Sequence, residues 1–308
     1  MMVLELVAAL AIDRLFGEPR RHPLVAFGHC VSAMETRFYR ADQSARRQQL
    51  AGLLGWALLV LPPVALLWTL LSTLPSLWQG IIAVLTLAFC LGGRSLSEHA
   101  RAVAGPLARG DLGAARQQVA MLVSRDTRAL DEGGISRATI ESVLENGNDA
   151  IFASLFWFAL GGAPAALLHR LANTLDARWG YRSARYENFG RAAARLDDLL
   201  NWVPARLCAL AYALVGHWLA AVRCWRAQAR HAASPNGGPV MAAGAGALQI
   251  RLGGPAIYAG QQENRPILGC GREARPADIP RALALLRRGI LLWLLVIALV
   301  TLLQEISV

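Results

Sequence analysis

The sequence predicts an all-α fold: a polytopic integral membrane helical bundle with cytoplasmic helical segments and a Gly/Pro-rich cap. Three observations predict it. The first is composition: 55% of the 308 residues are hydrophobic, 17% are charged and mean hydropathy is +0.37. A soluble domain is about 45–50% apolar and about 25% charged. The second is clustering, with apolar runs at 2–12, 50–71, 78–93, 151–172, 203–222 and 289–303. A spanning helix takes about 20 such residues. The third is charge placement. Arginines crowd 14–47, 94–137, 170–206 and 223–288, whereas 72–77 carries no charge. Basic loops stay in the cytoplasm, so those four intervals belong inside and 72–77 outside.

The elements follow in order. The run 2–12 is too short to span unless it extends into 14–17. It lacks a basic leader and a small-residue cleavage site, so a removed signal peptide is not expected. The run 50–71 is long enough, and Pro62-Pro63 predicts a kink within it. The run 78–93 is short for a span. The interval 94–149 reads as helical, broken at Gly105-Pro106 and Gly110-Asp111, with Asp111 and Ser136 as N-caps. The run 151–172 is interrupted at Gly161-Gly162-Ala163-Pro164. A single crossing there would put basic 170–206 opposite 94–149. Runs 151–172 and 203–222 are therefore expected to be buried helices or a re-entrant pair. Trp202 and Pro204 predict a helix end at the membrane interface. The interval 232–275 reads as loops with short helices, capping a site. Together these make one membrane-embedded domain over 1–308, with 94–149 a cytoplasmic helical segment and 223–288 the cap.

Composition also excludes chemistry. All 31 basic residues are arginine, a bias that codon usage alone can produce. Without lysine there is no P-loop lysine and no Schiff base. Anion binding must then use arginine forks, backbone amides or metal. The five cysteines form no C-x-x-C, which argues against a zinc site or a disulfide framework.

Four polar clusters stand out, because unpaired charge is costly in so apolar a chain. In "ESVLENGNDA", Glu141, Glu145 and Asp149 recur about every turn. Like charges at that spacing become useful around a cation such as Mg²⁺, which takes hard oxygen ligands. In "RLDDLLNW", Asp197 and Asn201 share a face, and Asp198 is spaced to pair with Arg195 or Arg191. This face is a metal or phosphate site, or an ion-pair network seating a helix. In "NTLDARWGYR", Asn173, Thr174, Asp176, Tyr181 and Arg182 gather around a turn, suited to capping or to anion binding. In "SRDTRALDE", Arg125 and Arg128 interleave with Asp126 and Asp131, as a salt-bridged helix would also show. Near the N-terminus, "DRLFGEPRRHP" presents Glu18 and His22 on a turn. His22 is a candidate base, although a packed histidine is commoner.

These strings, in this order, resemble the CobD/CbiB family of cobalamin biosynthesis, the adenosylcobinamide-phosphate synthases. "GEPRRHP", "RSLSEHARAV", "LVSRDTRALDE", "IESVLENGNDA", "FGRAAARLDDLLNWVPARL" and "SPNGGPVMAAGAGAL" carry the match from end to end. The chain departs from the family pattern at Arg178 and around Pro239-Val240. The resemblance implies a multi-pass inner-membrane ligase with its site facing the cytoplasm. It implies ATP and Mg²⁺ as cofactors, with adenosylcobyric acid (a corrinoid) and aminopropanol or its O-phosphate as substrates. Expected partners are these substrates and membrane lipid, with no nucleic acid, and either a homo-oligomer or an assembly with other late cobalamin enzymes. On this reading Asp126, Asp176 and Tyr181 are catalytic. Glu141, Glu145, Asp149, Asp197 and Asp198 hold metal. Arg125, Asn173, Arg182, Arg195, Asn201, Glu18 and His22 bind substrate or phosphate. Two other readings stay open: a non-catalytic membrane regulator related to the β-lactamase regulatory system, and a small-molecule transporter.

Overall fold

The computed structural model describes residues 1–19, 23–181, 183–258 and 260–306. In chain order the helices are α1 (Met2–Phe16), α2 (Pro23–Phe38), α3 (Ala45–Thr73), α4 (Ser76–Cys90), α5 (Gly93–Ala108), α6 (Leu112–Val119) and α7 (Glu132–Gly147). A π-helical turn (Asn148–Phe152) leads into α8 (Ala153–Trp179), followed by α9 (Tyr186–Phe189), α10 (Arg191–Val215), α11 (Trp218–Gln228) and α12 (Gly237–Leu248). Short strands β1 (Ile250–Gly253), β2 (Ala256–Tyr258), β3 (Gln261–Glu263), β4 (Ile267–Gly269) and β5 (Arg272–Glu273) precede α13 (Asp278–Ile306). Five helical stretches are long and apolar enough to cross a membrane: Ala45–Thr73, Ser76–Ala108, Glu132–Trp179, Arg191–Val215 and Asp278–Ile306. The fold is all-α and polytopic, as composition and clustering predict. The residues group into two compact units, Met1–Gly92 with Ala153–Asn201, and Gly93–Phe152 with Trp202–Val308.

In the first unit, α3 and α4 form a helical hairpin across Pro75. α3 runs on through Pro62 and Pro63. Its end carries three hydroxyls that bond back to its own carbonyls: Thr69 to Ala65, Ser72 to Thr69 and Thr73 to Leu70. That satisfies donors without water, as an apolar surround requires. α8 breaks at Gly161 and Gly162, where Gly162 takes φ 67° and ψ −162°. Only glycine adopts that conformation cheaply.

The packing shows that the chain turns back at this break. At its start, Ser154 Oγ donates to Cys90 O (3.4 Å) at the far end of α4. The break itself shares a 360 Å³ cavity with Trp68, Leu71, Ser76 and Gln79, beside the α3–α4 turn. The other end returns along α3. There Gly55 makes room for the Trp179 ring, and Trp179 meets Phe189 with ring centroids 4.9 Å apart. Helix α8 thus folds back on itself at Gly161-Gly162, and its two outer ends share one side of the unit. The core around it is Val31, Trp56, Leu59, Val60, Leu171, Leu175, Trp179 and Phe189. Where helices approach this closely in lipid, van der Waals packing holds them. A Cβ on Gly52 would fall 1.9 Å from Phe189 O, so α3 and α9 touch backbone to backbone.

In the second unit, α7 is buried on most of its surface and packs against α5, α12, α13 and β1. Every residue of α12 is buried. Its small residues let α11 lie close, with Gly246 against Ala220 O, and Gly238 meets Ala229 O just past the end of α11. β1 pairs antiparallel with β4 and parallel with β5, and β2–β3 form a separate ribbon. Buried Asp278 starts α13, held by Arg272, Arg281 and the Arg275 amide.

Several local expectations need correction. Asp111 does cap α6, accepting from Ala114 N (2.9 Å). Ser136 caps nothing: Asp131 caps α7, accepting from Gly134 N (2.7 Å), and Ser136 lies inside the helix bonded to Glu132 O. α5 continues past Gly105-Pro106 to Ala108, with Pro106 inside the helix. α10 likewise runs through Trp202 and Pro204, so no helix ends there. The run 203–222 is not one element, because α10 stops at Val215 and α11 starts at Trp218. The interval 232–275 holds the expected short helix, the fully buried α12, and five strands that the expectation of loops left out. Its glycines serve close approach as well as turns.

Candidate functional site

The most concentrated polar site lies in the second unit. Glu141 sits on α7, 2% exposed. Its Oε2 is gripped by Arg125 and, at 3.0 Å, by Arg265. Its Oε1 accepts from Gly253 N at 2.6 Å. The Arg125 side chain is only 8% exposed. Arg125 and the half-buried Arg265 place two cations on one carboxylate, and Glu145, one turn along α7, also feels both charges. Arg125 Nε, also buried, has no hydrogen-bond partner. Gly253, at φ 76°, is fixed by close approach, because a Cβ there would meet Pro266 O at 2.0 Å.

One turn along α7, half-buried Glu145 projects beside this cluster. It makes no side-chain hydrogen bond to another described residue. The N-terminus of α12 is brought against it by Gly237, where a Cβ would come 2.5 Å from Glu145 Oε1. The positive end of a helix favours a carboxylate. Asp149 follows in the π-helical turn and accepts from Asn148 Nδ2 at 2.9 Å. Single π turns inside helices recur at functional sites because they redirect side chains without ending the helix.

A second polar centre is buried in the first unit. Asp197 Oδ1 accepts from Asn201 Nδ2 at 3.0 Å and from Asn173 Nδ2 at 3.3 Å. Asn201 Oδ1 in turn meets His169 Nε2 at 3.2 Å. His169 is fully buried, and its Nδ1 has no hydrogen-bond partner. The chain α8–α10–α8 is therefore tied by a His–Asn–Asp–Asn relay within two candidate spanning helices. Buried polar networks of this kind are high-stakes: they rigidify when satisfied and cost when not.

The other expected residues lie as follows. Asp126 is in the loop before α7, its amide bonded to Ile257 O (2.8 Å) and its carboxylate to Arg128 (2.6 Å). The Arg128 hydrogen bonds hold its carboxyl at about 2, below the usual 3.8. Such a group accepts a proton poorly at neutral pH. Asp176 lies in the last turns of α8, where the chain closes tightly on it: Gly180 N bonds Asp176 O at 2.6 Å. Tyr181 is exposed, as are Glu18 and Arg195. Asp198 is half-buried beside Asp197 on α10. His22 and Arg182 lie outside the described residues. Arg178 reaches Gly28 O (3.1 Å) and Ser32 Oγ (3.3 Å), tying α8 to α2.

Among the described residues, no group of three or more His, Cys, Asp and Glu side chains stands ready to hold a metal. Magnesium asks for less, commonly one or two carboxylates with phosphate oxygens and water. Glu145 and Asp149 fit that requirement, Glu145 because no hydrogen bond engages its carboxylate. Glu141 and Asp197 are already engaged by arginine and amide donors. Three participants escaped the sequence reading. Arg265 and Gly253 come from the strand region, far along the chain, and carry no local pattern. His169 sits in "LLHRLANT" and has a legible signal, being four residues before Asn173 on the same helical face.

A family model described as CobD/Cbib protein matches residues 6–286. A Chromobacterium violaceum protein named cobalamin biosynthesis protein CobD is 55% identical over 289 residues, covering 92% of each chain. The protein of that name from Stutzerimonas stutzeri is 55% identical over 296 residues, covering 96% of each. One from Rhodobacter capsulatus is 40% identical over 311 residues, covering 98% of each. No solved structure matches the chain.

Proposed function

The chain belongs to the CobD/CbiB family of cobalamin biosynthesis, and from that membership we propose that it is an ATP-dependent acid–amine ligase. It joins (R)-1-amino-2-propanol, or its O-phosphate, to the free propionate of adenosylcobyric acid. The product is adenosylcobinamide or its phosphate. It acts in the inner membrane with its site facing the cytoplasm. A carboxylate does not form an amide unaided at neutral pH. Transfer of the ATP γ-phosphoryl to the propionate makes an acyl phosphate and ADP. The amine then attacks the acyl carbon, loses a proton, and expels phosphate.

One observation carries this reading: Arg125 and Arg265 converge on Glu141, Arg125 keeps a buried Nε without a hydrogen bond, and the Glu145 carboxylate, which makes no hydrogen bond to a described residue, stands one turn away. Arg125 and Arg265 steady the propionate and the phosphoryl oxygens, as arginine forks do. Glu141 orients them. Glu145 and Asp149 would hold Mg²⁺, which when bound neutralises phosphate charge during transfer. Asp126 is too acidic to take the ammonium proton.

The test is turnover of purified protein in detergent with adenosylcobyric acid, ATP, Mg²⁺ and each amine in turn. Amide product with stoichiometric ADP supports the proposal. ATP hydrolysis without amide, or no dependence on the corrinoid, defeats it.

A further inference from the structure

The first turns of α3 carry a ring of cations that no part of the proposed reaction uses. Two cavities open there, of about 450 and 470 Å³. One is lined by Arg37, Arg40 and Arg47 over Phe38 and Leu54. The other is lined by Arg46, Arg191 and Arg195 over Leu53 and Ala192. Leu50 is common to both and forms the wall between them. All six arginines are exposed, and among the described residues none makes an ion pair or a side-chain hydrogen bond. The nearby acidic residues Glu35, Asp42 and Glu187 line neither cavity, and Glu35 is taken by Arg185 and Tyr186.

The placement says what such a ring meets. α3 is a 29-residue apolar helix of mean hydropathy 2.2 over its central window. Its first turns therefore lie at headgroup depth if it spans. Below them Leu50, Leu53, Leu54, Leu58 and Leu61 are all exposed, forming a greasy stripe that descends from the arginines. A soluble anion would use the arginines and leave the leucines in water. An acyl chain uses both.

We propose that this collar is a binding site for an anionic phospholipid carrying two phosphates, a diphosphatidylglycerol. Each phosphate takes one three-arginine cavity, and the acyl chains lie along the leucine stripe on either side of Leu50. Arg195 thereby serves lipid rather than substrate. Basic cavities between membrane helices hold such headgroups, because arginine binds phosphate in a bidentate fork and the chains are already in the bilayer.

The experiment is native mass spectrometry and thermal unfolding of the purified full chain in detergent. The probes are dioleoyl phosphatidylcholine, phosphatidylglycerol, diphosphatidylglycerol, inorganic phosphate and glycerol phosphate. The expected result is tighter binding of the two-phosphate lipid than of either single-headgroup lipid, with a raised unfolding temperature. The two soluble phosphates should not compete at equal concentration. Replacing Arg46, Arg191 and Arg195 together by Gln should weaken binding by about a hundredfold, at about fivefold per arginine near a membrane surface. The triple Gln replacement of Arg37, Arg40 and Arg47 should do the same. Equal retention of phosphatidylcholine and diphosphatidylglycerol overturns the proposal. Unchanged binding in both triple variants, with circular dichroism showing both folded, overturns it too. Displacement by glycerol phosphate alone would assign the collar to a soluble anion instead.

Discussion

Replacing Glu141 by Gln removes the only carboxylate between two cations. Arg125 then keeps its burial, at 8% side-chain exposure, and loses its ion-pair partner. Arg265, at 19%, loses its partner as well. Removing one member of a buried pair costs about 3–5 kcal/mol, because the remaining charge stays desolvated. The glutamine oxygen can still accept from Gly253 N, so the backbone contact adds little to that figure. Arg265→Ala should cost less, about 1–3 kcal/mol, since Arg125 continues to neutralise the carboxylate. Replacing all three side chains by apolar residues of similar volume should return stability to within about 2 kcal/mol of the parent. Nine tryptophans give a fluorescence signal for unfolding in mixed micelles. Ordering the variants as Glu141→Gln, then Arg265→Ala, then the apolar triple supports the cluster. A Glu141→Gln cost below about 1 kcal/mol, or equal costs for the two single variants, would refute the reasoning, because a charge buried in that geometry cannot be cheap to orphan.

Other outcomes follow from the same geometry. Glu145→Gln should raise the Mg²⁺ concentration for half-maximal turnover by about tenfold, as loss of one ligand does, while leaving the fold intact; an unchanged Mg²⁺ titration removes Glu145 from the metal assignment. Asp197→Ala should destabilise the protein by about 1–3 kcal/mol, because the buried Asn173 and Asn201 amides lose their shared acceptor, and an unfolding midpoint equal to the parent's would show that the network carries no weight. Gly162→Ala should destabilise by about 1–3 kcal/mol, the cost of a side chain held at positive φ, read from the unfolding midpoint; a neutral effect would mean the break is not needed for the arms to reverse. For Asp126, the folded carboxyl lies at about 2 against 3.8, so its contribution is complete above about pH 4 and fades as pH falls towards 2. Asp126→Asn should therefore leave the pH–activity profile unchanged between about pH 5 and 9. An acid limb that vanishes in that variant would restore Asp126 as a titrating catalyst.

Sequence alone determined the apolar helical class, the Asp111 cap, the break at Gly161-Gly162 and the polar strings that hold Glu141, Glu145, Asp197 and Asn201. Each of these is local: composition, period and turn chemistry act over a few residues, and a chain displays them in order. Prolines misled for the same reason. Pro106 and Pro204 read as helix ends, yet α5 and α10 run on through them. What only tertiary structure decided is which charges meet. Arg265 lies 124 residues from Glu141 and Gly253 lies 112 away, and nothing in their own neighbourhoods marks them. Nor does "ESVLENGND" reveal that Glu141 is spent on arginine while Glu145 makes no such bond. Pairing of buried charge is settled by desolvation, and desolvation belongs to the packed molecule rather than to any stretch of chain.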